Sequence, residues 1–325
     1  MQNTKPFFSI IIPAYNVEKY IDRAISSVLS QSFQDFEIII VNDGSVDKTA
    51  NIINGYAEKT EKINVINHLK NESQHVSRMD GVAASNGQYV LFLDADDYFT
   101  DSALKILYDE VQKNQGYDFY EFGYIRQPSR KKTLPLFAGE NRFSAFFTRD
   151  KYPVHTMWDK VYETNMLKKS FSLMEREYIN NTEDLYESIV VAYHAKKILK
   201  IKKVIINYTI NTGISTVYKD YDKTIAFINV SKKGVELIRN FLKLNNQNID
   251  LNNLTYNLIR RIMQDIYSQK RDEDKKKLLL MLTEYFDAKL ILECLYYRQE
   301  AITNSMNYKL SKKILNPFRK LRNLF

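Results

Sequence analysis

The sequence predicts an α/β protein, in which helices flank a mostly parallel sheet, followed by a C-terminal helical region. Residues 7–12 and 36–41 are runs of mostly apolar residues, interrupted only by Ser9 and Glu37, and a segment with helical spacing of apolar residues follows each of them. Residues 89–93 form a third apolar run. Strands that are apolar on both faces and alternate with helices are typical of parallel sheets covered on both sides.

Polar or aromatic residues follow each apolar run: Pro13 and Tyr15 the first, Asp43 and Gly44 the second, and Asp94, Asp96 and Asp97 the third. Ligands of parallel sheets bind at the carboxyl ends of the strands, so we expect these residues to converge on one edge. Clustered carboxylates are costly to bury unless a cation neutralises them, which favours a metal site for an anionic ligand. The alternative is a turn followed by a helix N-cap.

Three segments carry a family resemblance. Residues 9–16 (SIIIPAYN), 41–45 (VNDGS) and 92–97 (FLDADD) resemble, in this order and spacing, motifs of the inverting nucleotide-sugar glycosyltransferases with the GT-A fold, the large bacterial family 2 type. Further similar segments continue to about residue 215. The resemblance implies a GT-A catalytic domain over residues 1–218, with a donor half at about 1–100 and an acceptor half at about 101–218.

The resemblance places the nucleotide at the ends of the first two strands, near Pro13. Tyr15 offers an aromatic face on which a base can stack. Asp43 can accept the imide N–H of a uracil, which would favour UDP over other nucleotides. Gly44 has no Cβ, so the backbone there can approach a ligand closely.

The third motif is expected to hold the diphosphate and its cation. The resemblance implies that Asp94 and Ala95 contact the donor and that Asp96 ligates a divalent cation. Oxygen ligands alone suit Mn²⁺ or Mg²⁺ better than zinc. Asp97 is expected to cap a helix or to support the other two aspartates.

Arg78 lies in residues 75–81, which resemble the family motif Ser-x-Ala-Arg-Asn-x-Gly, with Met79 in place of the Asn. A guanidinium suits either of two partners here, the donor phosphates or the aspartate cluster. A surface salt bridge is the third interpretation.

The second half of the catalytic region must supply an acceptor site and a base. Residues 157–162 resemble a Trp-(Asn/Asp)-Lys-Leu-Tyr segment of bacterial members and contain the only tryptophan, Trp158, which could hold a sugar ring or belong to the core. Glu183 and Asp184 could simply be acids in the first turn of a helix. The resemblance makes Asp184 the general base that deprotonates the acceptor hydroxyl, with Glu183 as the substitute.

Composition excludes several classes of protein. The chain has 325 residues, of which 44% are hydrophobic, so it can bury a sizeable α/β core. One cysteine, Cys294, excludes an internal disulfide framework and a cysteine-based zinc site. The sequence shows neither a signal peptide nor an apolar stretch of about 18 residues. We therefore expect a cytoplasmic protein.

Residues 219–325 form the predicted helical appendage, in which four segments have helical spacing: 225–244, 254–268, 275–286 and 288–298. Their apolar stripes could form a core or pack against another subunit. Residues 309–325 combine one apolar face with six Lys and Arg residues and no acid. Subtracting these charges from the formal net charge of +8 leaves +2 for residues 1–308, which argues against a nucleic-acid-binding surface.

This basic amphipathic segment suits the anionic cytoplasmic face of a membrane, where the protein would bind peripherally. The alternative is a terminal helix docked on its own protein, and Pro317 would kink either helix. Membrane contact would suit a lipid-linked glycan acceptor.

Two functions remain open. The first is a metal-dependent inverting transferase of the hexosyl or N-acetylhexosaminyl type. It would move sugar from a UDP-sugar to a hydroxyl of a capsule, teichoic acid or lipooligosaccharide precursor. The second is a non-catalytic nucleotide-binding relative that acts as a scaffold in glycan assembly.

Overall fold

The computed structural model describes residues 5–135, 141–148, 153–210 and 220–303, with side chains described as far as residue 296. Contacts divide the chain into two compact units. Unit 1 comprises the described residues within Met1–Phe146, Lys151–Thr216 and Leu237–Gln247, and unit 2 those within Phe147–Asp150, Val217–Glu236 and Asn248–Phe325. A domain boundary at residue 218 stays a prediction.

The strands are β1 (Phe8–Ala14), β2 (Phe36–Asn42), β3 (Ile63–Asn67), β4 (Tyr89–Phe92), β5 (Tyr98–Phe99), β6 (Phe119–Gln127), β7 (Lys131–Thr133), β8 (Lys160–Glu163) and β9 (Ile198–Thr209). The helices are α1 (Ile21–Leu29), α2 (Thr49–Ala57), α3 (Gln74–Ala84), α4 (Ala103–Lys113), α5 (Arg142–Ala145), α6 (Thr164–Phe171), α7 (Glu183–His194), α8 (Tyr221–Leu244), α9 (Asn252–Ser268), α10 (Asp272–Tyr285) and α11 (Ala288–Thr303).

The first half of the sheet is parallel. β1 pairs with β2 on one side and with β4 on the other, and β2 pairs with β3. Every residue of β1 is buried, and full burial of an isoleucine such as Ile11 stabilises the fold by about 1.5–3 kcal/mol. Because the strands run in one direction, their carboxyl ends lie at the same edge of the sheet.

The second half extends the same sheet with both orientations. β8 lies antiparallel between β4 and β6, and β9 is parallel to β6 and antiparallel to β5. β5 begins directly after the aspartate motif, so strands hold that motif on both sides. The predicted α/β architecture is confirmed.

Unit 2 contains most of the C-terminal helices. All four segments predicted as helical are observed, as α8 to α11, although residues 237–244 of α8 belong to unit 1. On α9, Ile259, Ile262 and Ile266 are buried at helical spacing. Within the described ranges, no helix combines the length and the apolar character that crossing a membrane requires. The basic segment 309–325 lies outside the described residues.

Candidate active site

The carboxyl ends of β1, β2 and β4 lie side by side, as predicted. The N–H of Asp43 donates to the carbonyl of Ala14 at 2.8 Å. The N–H of Leu93 donates to the carbonyl of Ile11 at 2.9 Å. The segments that follow the three strands therefore form one continuous rim.

Tyr15 is the exposed aromatic residue of this rim, with 45% of its surface accessible. Pro13 lies inside β1, opposite Val41 of β2. The Asn16 Oδ1 atom accepts the N–H of Val46 at 2.9 Å, which ties the loop after β1 to the loop after β2. The Tyr15 ring therefore stands on a fixed loop with a face on which a base can stack.

Asp43 is buried and organises the loop between β3 and α3. Its Oδ1 lies 2.6 Å from Nδ1 of His68 and accepts the N–H of Glu72 at 2.8 Å. Its Oδ2 accepts the N–H of Ser73 at 3.0 Å. A carboxylate has about four acceptor positions. The Asp43 carboxylate therefore has about one acceptor position left, which the predicted hydrogen bond from uracil could use.

The backbone around Gly44 itself requires a glycine. Its φ angle is +67°, and a Cβ there would lie 2.4 Å from the backbone carbonyl carbon of Lys70. Only glycine adopts this conformation at low cost, and only glycine leaves space for the neighbouring loop. Close approach of a ligand at Gly44 stays a prediction.

The three aspartates after β4 differ in environment. Asp94 and Asp96 are half-buried, whereas Ala95 and Asp97 are buried. Asp97 does not cap a helix, because β5 follows it and its Oδ1 accepts the N–H of Thr209 at 2.7 Å. Asp97 therefore supports the motif from within.

Burial raises the pKa of two of these carboxyls. The pKa of Asp94 rises to about 7, since burial and the charges of Asp184 and Asp96 outweigh the lowering effect of Arg78. The pKa of Asp97 rises to about 9, through burial and then through Asp94 and Asp96. The cluster thus resists full ionisation unless a cation joins it.

Arg78 connects the aspartate motif to α7. It is 1% exposed. Its Nη1 donates to Oδ1 of Asp184 at 2.5 Å and to Oε2 of Glu187 at 2.9 Å, and its Nη2 lies 3.5 Å from Oδ1 of Asp94. Burial lowers the pKa of the guanidinium, but the three carboxylates outweigh it and raise this pKa well above its ordinary value. Arg78 is therefore an internal link between carboxylates, not a surface salt bridge.

The acids at the start of α7 are unequal. Glu183 is buried, whereas the Asp184 side chain is 26% exposed. Burial, and then the charge of Asp184, raise the pKa of Glu183 to about 8. Burial therefore favours the protonated form of Glu183, and Asp184 is the more accessible of the two carboxyl groups at the helix N-terminus.

Trp158 lies beneath another ring. It is buried and stacks on Tyr208 with 5.0 Å between ring centroids and 7° between ring planes. Tyr124 meets it edge-on at 4.8 Å. Tyr208 is half-buried, so it is the more exposed residue of this stacked pair. Residues 211–215, at the end of the segments that resemble the family, lie outside the described residues.

A divalent cation fits this rim only if a bound ligand supplies further oxygen atoms to it. Among the described residues, no three His, Cys, Asp or Glu side chains are arranged to enclose a metal ion. Asp94, Asp96 and Asp97 offer oxygen atoms only, and burial followed by the charges of neighbouring carboxylates raises the pKa values of Asp94 and Asp97. Mg²⁺ commonly binds one or two carboxylates together with phosphate oxygens, so these residues fit an ion shared with a diphosphate.

Sequence analysis missed three residues of the site. Gln74 donates from Nε2 to Oδ1 of Asp94 at 2.9 Å. Glu187 and His75 are fully buried behind Arg78. The signal for Glu187 was its position three residues after Asp184, which places both on one face of a helix.

Known glycosyltransferases resemble this chain in sequence and in fold. A family model described as "Glycosyl transferase family 2" matches residues 9–173, just over half of the chain. The "Uncharacterized glycosyltransferase EpsJ" of Bacillus subtilis (strain 168) is 39% identical over 128 residues, which are 39% of this chain and 37% of that protein. The "Putative teichuronic acid biosynthesis glycosyltransferase TuaG" of the same strain is 35% identical over 128 residues, which are 39% of this chain and 51% of that protein.

Among solved structures, "S. aureus TarS 1-349 in complex with UDP-GlcNAc" matches with a TM-score of 0.58 at 20% identity, covering 97% of this chain and 92% of that one. The likeness confirms the predicted GT-A fold. Because the family model matches more than half of the length of the chain, the chain belongs to glycosyl transferase family 2.

Proposed function

We propose that this protein transfers a sugar from a UDP-sugar to a hydroxyl group of a bacterial cell-surface glycan precursor, with inversion at the anomeric carbon and with a divalent cation. The observation that carries the proposal is the link through Arg78. It joins Asp94, at the donor end of β4, to Asp184, at the accessible N-terminus of α7. One cluster therefore contains groups suited to the leaving group and to the nucleophile.

The donor would bind along the rim. Tyr15 would stack on the base, and Asp43 would accept the uracil imide N–H beside the loop contacts that it already makes. TarS has been crystallised with UDP and with UDP-GlcNAc, which supports UDP as the nucleotide. The transferred group would be a hexosyl or N-acetylhexosaminyl residue.

Asp96 would ligate Mn²⁺ or Mg²⁺, with Asp94 close by. A bound cation would supply positive charge that offsets the charge developing on the departing diphosphate. A mannosyltransferase from Pyrobaculum calidifontis, similar in fold, is described in complex with GDP-Man and Mn²⁺, which supports a metal here. Arg78 would keep Asp94 in place through its second nitrogen.

Asp184 would be the general base. The acceptor oxygen forms a bond to the anomeric carbon while its proton passes to the Asp184 carboxylate. The bond from that carbon to the phosphate oxygen breaks, and UDP leaves with the electron pair. Attack from the face opposite the leaving group inverts the centre. Glu183 is the weaker candidate, because its side chain is buried and burial favours its protonated form.

The names of two relatives support the proposed acceptor class. One is named for teichuronic acid biosynthesis, and another is a poly(ribitol-phosphate) β-glucosyltransferase. A lipid-linked precursor would bring the enzyme to the cytoplasmic face of the membrane, with residues 309–325 as the contact. Residues 219–325 would form a separate helical domain, through which the protein could also self-associate.

The test is release of UDP from a panel of UDP-sugars without acceptor, in manganese and in EDTA. We expect slow hydrolysis of at least one donor in manganese and none in EDTA. Binding of UDP without turnover of any donor would instead identify a non-catalytic scaffold.

A further inference from the structure

A row of buried polar contacts stands behind the candidate base. Glu187 and His75 are fully buried and Arg78 is nearly so. Glu187 accepts Nη1 of Arg78 at its Oε2, at 2.9 Å, and its Oε1 lies 2.8 Å from Nδ1 of His75. The other ring nitrogen of His75, Nε2, donates to the carbonyl of Glu175 at 3.1 Å. The row of contacts thus ends at a backbone carbonyl group.

We propose that Glu187 and His75 are positioning residues for the transfer reaction. They hold the Arg78 guanidinium between Asp94 and Asp184, and so set the distance between the donor carboxylate and the base. The inference rests on the proposed function, since it assigns these two residues to the same site.

The contacts leave the guanidinium little freedom. Both oxygens of Glu187 are engaged, so its carboxylate cannot turn, and both nitrogens of the His75 ring are engaged as well. Because a guanidinium is a rigid planar fork, fixing Nη1 also fixes the Nη2 that faces Asp94.

Glu187 is the buried anchor among the partners of Arg78. The side chains of Asp94 and Asp184 are 23% and 26% exposed, whereas that of Glu187 is inaccessible. A guanidinium without this anchor could turn toward the accessible carboxylates or toward the phosphates of a donor. A misplacement of about 1 Å in an active site can lower the rate about 100-fold.

The first test compares Glu187→Gln, which keeps the length of the side chain and removes its charge, with His75→Leu. We expect kcat for UDP release from UDP-GlcNAc or the best donor to fall about 10- to 100-fold in Glu187→Gln and less in His75→Leu. The KM for the donor and the Kd for UDP should stay within about threefold. Glu37→Gln is the matched control, because Glu37 also accepts tertiary hydrogen bonds, from Ser9 and Gly87, but at the opposite end of β2.

A kcat within twofold of the wild type in Glu187→Gln would overturn the inference. A loss of UDP affinity as large as the loss of kcat would also overturn the inference, because Glu187 would then serve the nucleotide pocket. If Glu187→Gln does not fold, His75→Leu carries the same comparison.

A second readout does not depend on turnover. In ¹⁵N NMR of arginine side chains, the Arg78 Nη signals should show slow rotation in the wild type and faster rotation in Glu187→Gln. Unchanged rotation would refute the positioning role. Absence of UDP release by the wild type would instead refute the proposed function, so the two failures are distinguishable.

Discussion

Replacing Arg78 by methionine should destabilise unit 1, and more so at pH 8 than at pH 5.5. The guanidinium is buried and faces Asp184, Glu187 and Asp94 at 2.5, 2.9 and 3.5 Å. Methionine is also long and unbranched but carries no charge. The substitution therefore removes the cation and leaves three carboxylates without it.

The magnitude follows from the burial of the partners. Removing one member of a buried ion pair costs about 3–5 kcal/mol, and we expect a loss in this range at pH 8. The pKa of Asp94, already raised from 3.8 to about 7 by burial, should rise further without Arg78. Below that pKa the Asp94 carboxyl is protonated and uncharged, so removing the guanidinium costs less stability. At pH 5.5 the loss should therefore be smaller, by about 1 kcal/mol or more.

The assay is urea unfolding followed by tryptophan fluorescence. Trp158 is the only tryptophan and lies in unit 1, so its signal reports on the unit that contains Arg78. Arg176→Met is the control: Arg176 is 48% exposed and pairs with Asp80 and Glu72, so its loss should cost less than about 1 kcal/mol. A cost below about 1 kcal/mol for Arg78→Met, or equal costs at both pH values, would refute the reasoning.

Four further outcomes are expected. Gly44→Ala should lower the free energy of unfolding by about 1–3 kcal/mol, because φ is positive at this residue and the added Cβ would lie 2.4 Å from the Lys70 backbone. An unchanged midpoint of urea unfolding would contradict this. Tyr15→Ala should weaken UDP binding about fivefold or more in calorimetry if the ring stacks on the base, and equal affinity would exclude stacking. Deleting residues 309–325 should abolish sedimentation with anionic liposomes, whereas unchanged sedimentation would remove the membrane contact. The metal-free wild type should lose stability from pH 5 to pH 9, because the folded pKa values of Glu183 and Asp97 lie at about 8 and 9, above those of the unfolded chain; a rise would contradict this.

The rim of the site could be predicted because its signal is local. Each strand of the parallel half that ends in a site residue is a run of mostly apolar residues, and the motif follows directly. β3 escaped prediction because only one of its five residues, Ile63, is buried. A short edge strand of this kind lacks the pattern of a central one.

Partners that are distant along the chain could not be predicted. Arg78 and Asp184 are 106 residues apart, and only the packing of α3 near α7 brings them together. The same limit applies to the surroundings of Gly44 and Trp158. The space beside Gly44 is filled by a loop, and Trp158 is covered by Tyr208; neither neighbour is adjacent in sequence.

The central claim is that the aspartate motif serves the donor and its cation while Asp184 serves the nucleophile. Manganese-dependent UDP release and UDP binding, measured on Asp96→Asn and Asp184→Asn, test it most directly. Asp96→Asn should abolish the metal-dependent rate and remain folded, and Asp184→Asn should lose turnover while binding UDP as the wild type does. Near-normal rates in Asp96→Asn, or loss of UDP binding in Asp184→Asn, would contradict this division of roles.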